Sequence, residues 1–210
     1  NIDDTQVSSE LEREKVSVKM PVQFIHPWAN MIIKFKIPDK IFKTLLEMYE
    51  YTVSQEKWKD FGDQLVGQVA EEPEVTPDIM TKYSDWTNFC IEAVRNFVIT
   101  QTTSNLVAET KGMEKFKETE FLTKMNTMWF VRQKPNEYNP IHIHTNCKVS
   151  SIAYLKTPKH QIKSRKEHYE SDGKVCFTNN TGTDLNFANH QCSFEPIAGD
   201  MYVFPALQHH

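Results

Sequence analysis

Residues 141–156 read IHIHTNCKVSSIAYLK, and this stretch decides the fold. It holds two short runs rich in β-branched residues, Ile141–His144 and Lys148–Lys156. Neither run is long enough for an independent helix, and both alternate as strands do. Moving outward, similar runs occur at Phe121–Gln133, Lys174–Thr178, Asp184–Phe187, Cys192–Glu195 and Asp200–Phe204. Asn136, Asn179-Asn180-Thr181-Gly182 and Gly199-Asp200 supply turn chemistry between them. Strands at this spacing predict a sandwich or barrel in the C-terminal half.

The N-terminal half reads differently. Residues 30–37, NMIIKFKI, predict a strand, and Pro38-Asp39 marks a helix start. Ile41, Leu45, Leu46, Tyr49 and Val53 then recur at helical spacing. A second helix opens near Ser84 or Asp85 and runs to about Gln101. Its stripe is Trp86, Phe89, Cys90, Val94, Phe97 and Val98, expected to pack on a sheet. Residues 1–20 are charged and poor in large apolar groups, which predicts an extended or flexible arm. Residues 21–210 are expected to form a single domain, helical first and β-rich second, with no Pro- or Gly-rich linker dividing it.

Composition narrows the function classes. The 210 residues carry 39% hydrophobic and 25% charged residues, the balance of a globular chain. A net charge of −4 lacks the basic excess of a nucleic-acid binder. No segment approaches the roughly 18 apolar residues of a membrane helix, and residues 1–15 hold no apolar run of a secretory leader. Cys90, Cys147, Cys176 and Cys192 form no CxxC pair. Reduced, mostly structural thiols in a non-secreted protein are expected.

The chemistry-bearing group is His142 and His144. On a strand, i and i+2 share a face, so their imidazoles stand side by side while Ile141 and Ile143 pack the other face. Two neutral imidazoles suit Fe, Zn, Cu or Ni. A third ligand must come from elsewhere, and the run from Gly199 to His210 offers His209 and His210. Three protein ligands on one face of a metal leave positions for substrate and oxygen. The plain alternative is a pair of strand histidines on a wet sheet face. Trp129 and Phe130, on the strand before the site, face opposite sides, so at least one is expected in the core.

Three segments together carry a resemblance. They are Asn139–Cys147 followed by Val149–Leu155, then Pro196–Pro205 followed by His210, and upstream Phe61–Glu72 with its Leu65-Val66-Gly67. The chain resembles, over roughly residues 30–210, the putative 2-oxoglutarate/Fe(II)-dependent oxygenases common in tailed phages of marine bacteria. That resemblance implies a mainly β, α+β chain: a double-stranded β-helix, or jelly-roll, cupin-like barrel, braced by N-terminal helices. It implies Fe(II) held by His142, His144 and His210, the last selected by its spacing from Pro205. His144 stands where relatives outside the family place a carboxylate. It further implies 2-oxoglutarate as co-substrate and molecular oxygen, with hydroxylation of an unidentified substrate. In many relatives a basic residue beyond the distal His anchors the co-substrate; here the domain is expected to be shortened at its C-terminus. Lys148 and Lys156, which share a strand parity, are the candidates for that anchor, and Tyr154 is a candidate hydrogen-bond donor to the co-substrate. A phage enzyme working in the cytoplasm of the infected host follows from the same resemblance. Two other readings fit the residues: a non-enzymatic jelly-roll module of a virion, and a cupin-like three-His enzyme that does not use 2-oxoglutarate.

Overall fold

Asp200–Pro205 is apolar on both faces apart from its first residue, and a strand with that pattern needs cover on both sides. The computed structural model, which describes residues 31–105, 122–157, 173–179 and 190–210, supplies that cover. In chain order the elements are β1 (Ile33–Lys36), α1 (Asp39–Ser54), a 3₁₀ turn (Gly62–Gln64), α2 (Pro77–Lys82), α3 (Ser84–Asn105), β2 (Val149–Ala153), β3 (Val175–Thr178), β4 (Gln191–Phe194) and β5 (Asp200–Pro205). The expected arm over residues 1–20 and the expected strand Asp184–Phe187 lie outside the described residues.

β5 is the centre of a three-stranded antiparallel sheet of order β1-β5-β2. Val203 lies opposite Ile33 on one side and Ser151 on the other. β3 and β4 form a separate antiparallel pair, with Phe177 opposite Cys192. Alternation then sorts the side chains of β5. Met201 and Val203 face the helices and join Leu45, Met48, Trp86, Cys90, Ala93 and Phe97 in the larger core. Tyr202 and Phe204 face the β3–β4 pair and join Phe177 in a second core, bordered by Ile152, Tyr154 and Phe194. Each fully buried large side chain here contributes about 1.5–3 kcal/mol.

The strand start is pinned electrostatically. Gly199 turns the chain with φ +84°, a conformation that suits glycine. Asp200 follows, its side chain only 4% exposed, with Lys34 Nζ at 2.7 Å and Lys36 Nζ at 3.2 Å. Burial alone would push this carboxyl up, but the hydrogen bonds and charges of Lys34 and Lys36 outweigh it and hold it below the usual range.

The predicted N-terminal elements are present, with α3 running past Gln101 to Asn105. Helices account for more of the described chain than strands, so "mainly β" gives way to a mixed α/β chain with antiparallel sheets. The described strands do not close into a barrel. The run expected as a strand over residues 121–133 forms no regular strand among its described residues. It pairs with residues 71–75 through Val75 N–H to Met128 O, Phe130 N–H to Pro73 O and Arg132 N–H to Glu71 O. Pro73, in the middle of the partner, has no N–H to return.

Candidate metal centre

The site is assembled by backbone pairing before any side chain is considered. His142 N–H donates to His210 O at 3.0 Å, and His210 N–H returns the bond to His142 O at 3.2 Å. Residues exchanging both bonds in an antiparallel pair put their side chains on one face. One step on, His144 N–H donates to Ala206 O at 2.8 Å, and Ala206 N–H donates to Lys148 O at 3.1 Å. The turn that follows β5 is thereby laced to the HxH segment. Gln208, buried in that turn, donates from Nε2 to Thr178 O and His209 O, tying the same turn to the end of β3.

The three rings converge. Ring centroids of His142 and His210 are 4.3 Å apart, and His144 lies 5.1 Å from each. One nitrogen from each ring falls within 4.8 Å of the others, a spacing that could hold a metal ion. Two rings are oriented by carbonyls. His142 Nδ1 lies 2.9 Å from Pro140 O, and His210 Nδ1 lies 2.8 Å from Gln208 O. A carbonyl only accepts, so each Nδ1 carries the proton and each Nε2 keeps its lone pair for a ligand. That is how a metal-binding imidazole is fixed in tautomer and direction.

Burial favours the neutral form of two of the rings, His144 and His210. Burial lowers the His144 pKa, and His142 lowers it further. Burial lowers His210 to about 4; the Gln208 carbonyl opposes this, and the neighbouring histidines add to it. Apolar rings enclose the site: Phe204 lies 4.6 Å and Phe177 5.9 Å from His210. Trp129 lies 5.9 Å from His144 and stacks on Phe61 at 4.8 Å. Its neighbour Phe130 turns the other way, into the helical core against Tyr49.

The other predicted residues are placed as follows. Tyr154 sits half-buried on the second core, 6.3 Å from Tyr202, with its phenol pKa raised by burial. Lys156 reaches Glu50 of α1 at 3.0 Å and lies over the Tyr49 ring, away from the histidines. Lys148 is exposed, and its backbone rather than its side chain takes part in the lacing. His209 contributes its carbonyl to Thr178 N–H, and its ring is outside the trio. His26, His160 and His168 lie outside the described residues, and His190 is exposed. Ile141 and Ile143, expected to pack, are 67% and 38% exposed. All four cysteines are free thiols, with Cys90 in the core.

Sequence reasoning singled out the Phe61–Glu72 segment but missed the Phe61–Trp129 stack it makes. Gly67 packs so closely on Asn139 that a Cβ there would lie 1.9 Å from its Oδ1, and Gln68 bridges Tyr138. Glu71 pairs with Arg132 and Lys134. Glu72 beside it is 1% exposed, and its Oε2 makes no hydrogen bond among the described residues. Burial, then the charges of Asp60 and Glu137, raise its pKa.

Residues 127–210, which contain the three histidines and β5, match the family model described as "Putative 2OG-Fe(II) oxygenase". Over these residues the chain is similar to that family. The match indicates an oxidoreductase of a class that uses Fe(II), 2-oxoglutarate and molecular oxygen, with the 2-oxoglutarate as small-molecule co-substrate. The donor set in the structure suits such an iron: three mutually close imidazoles, two of them directed by carbonyls. Searches of curated proteins and of solved structures give no match to this chain. No helix among its described residues is long and apolar enough to cross a membrane.

Proposed function

We propose that this chain is an Fe(II)- and 2-oxoglutarate-dependent dioxygenase that hydroxylates a C–H bond of its substrate, with iron held by His142, His144 and His210. The observation that carries this reading is the convergence of three imidazole nitrogens within 4.8 Å, inside the segment that matches the oxygenase family. Iron with 2-oxoglutarate and oxygen supplies oxidative decarboxylation to succinate coupled to oxygen insertion.

The chain's own residues do the positioning. Pro140 O and Gln208 O hold the Nδ1 protons of His142 and His210 and so direct both Nε2 atoms. Phe177 and Phe204 keep water from the flank of His210. Tyr154, next to Tyr202 on the second core, is the hydroxyl we assign to the co-substrate in preference to Lys148 and Lys156. The shared core between the β1-β5-β2 sheet and the β3–β4 pair supports a jelly-roll for residues 21–210 taken as one domain. A phage-encoded enzyme in the host cytoplasm is the setting this reading carries from the sequence resemblance.

The test is turnover. Purified protein with Fe(II), ascorbate and 2-oxoglutarate is expected to form succinate, slowly even without primary substrate. The all-imidazole donor set favours one second reading, a cupin-like three-histidine enzyme. Bound iron with no succinate under any condition would select that reading over ours.

A further inference from the structure

The three histidines are not supported alike. His142 and His210 each direct Nδ1 at a carbonyl two residues earlier, Pro140 O and Gln208 O. The equivalent carbonyl for His144 belongs to His142, and it already accepts the His210 N–H at 3.2 Å. Among the described residues no hydrogen bond orients the His144 ring. Its aromatic neighbours among the described residues are the other two imidazoles and Trp129, whose ring lies 5.9 Å away at 51°.

Trp129 is itself held firmly. It stacks on Phe61, 4.8 Å away and 19° from parallel. Its backbone bridges Glu74. The next residue, Phe130, is buried in the helical core and anchors the segment from the opposite face. Phe61 in turn is fixed by its N–H to Glu72 O at 2.9 Å. An indole clamped in this way presents a rigid plane to the one imidazole that has no carbonyl partner.

Resting on the proposed metal centre, we infer that Trp129, backed by Phe61, is a positioning residue that sets the His144 ring on the metal. It does by aromatic packing what a carbonyl does for His142 and His210. This gives the Phe61–Glu72 segment a role in the site: it carries the backing for one ligand. Loss of an outer partner of a metal-binding histidine typically weakens metal binding by about 10–100-fold. Trp129 is expected to act in that range, and only through His144.

The experiment is a Co(II) titration followed by the d–d absorption of the bound ion, with far-UV circular dichroism to confirm folding. Trp129→Leu is expected to weaken Co(II) binding about 10-fold or more and to alter the d–d bands, while Trp129→Phe restores most of both. Phe97→Leu, in the helical core, is expected to lower stability but leave the affinity and spectrum of the folded protein unchanged. In a His144→Ala background, Trp129→Leu is expected to cost nothing further. An unchanged affinity and spectrum in Trp129→Leu, or an additive loss in the double variant, overturns the inference while wild-type binding leaves the metal centre standing. Absence of Co(II) binding by the wild type overturns both. If Trp129→Leu does not fold, Phe61→Leu carries the same prediction with a smaller loss, and an unchanged Phe61→Leu affinity overturns the backing role.

Discussion

His142 and His210 exchange both of their backbone hydrogen bonds, at 3.0 and 3.2 Å, and their rings stand 4.3 Å apart. The reciprocal pair fixes two candidate ligands on one face through main-chain geometry alone. Each ring is then turned by a carbonyl two residues before it. The site is thereby organised by the chain itself, with directed lone pairs, rather than gathered only by an arriving ion.

His142→Ala and His210→Ala are each expected to abolish iron binding, whereas His209→Ala is expected to leave it intact. The His209 ring lies outside the trio, and the bond it makes to Thr178 comes from its backbone, which alanine keeps. Equilibrium dialysis of Fe(II) under anaerobic conditions reads the difference. Equal loss in all three variants would place the C-terminal ligand one residue too late.

The metal-free protein is expected to lose stability in acid through its buried histidines. His210 titrates at about 4 in the fold, lowered mainly by burial from an ordinary 6.5. Between those values the unfolded chain binds a proton that the folded chain refuses. Stability therefore rises with pH across this window and falls as pH drops from about 6.5 towards about 4. His144, also lowered by burial, adds in the same direction. Thermal melts of metal-free wild type and His210→Gln over this range check the sign: the wild type is expected to show the steeper pH dependence, and equal slopes would contradict it.

Phe204 supports both the fold and the site. It is fully buried, meets Phe177 at 5.0 Å and lies 4.6 Å from the His210 ring. Phe204→Ala is expected to destabilise the protein by about 3–5 kcal/mol, measured by denaturant unfolding. It is also expected to weaken metal binding, because the cavity lies against a candidate ligand. A change below about 1 kcal/mol would show that the second core contributes little.

Glu72 gives a pH dependence of the opposite sign. Its pKa is raised by burial and then by Asp60 and Glu137, so the folded state keeps a proton that the unfolded state has released. Stability from this group is present in acid and lost as pH rises above the ordinary carboxylate range. Glu72→Gln removes the buried charge and is expected to stabilise the protein at neutral pH by about 1 kcal/mol or more, with the gain shrinking in acid. Paired unfolding curves at neutral and acid pH measure it, and a loss of stability at neutral pH would contradict it.

Much of this was legible in the sequence because local chemistry agreed with the final environment. The Pro38-Asp39 start of α1, the stripe of α3 and the strand run Asp200–Phe204 of β5 all read correctly. The i, i+2 spacing of His142 and His144 also placed both rings together, although their segment is extended chain rather than a regular strand. Other features depended on distant partners. The parity linking Lys148 to Lys156 runs past the end of β2 at Ala153, and the Lys156 contact with Glu50 is one that parity does not reveal. α2 is only six residues long, too short for periodicity, and is marked by Pro77 at its first turn. Phe61 and Trp129 meet only in space, so no pattern in either segment announces the stack. Ile141 and Ile143 alternate as a packed face should, yet both are exposed, which alternation alone cannot reveal.

The most direct measurement is iron-edge X-ray absorption on the anaerobic Fe(II) protein, comparing wild type with His144→Ala. The account predicts three imidazole scatterers around iron in the wild type and two in the variant. An iron shell of oxygen ligands alone, or no retained iron, would contradict it.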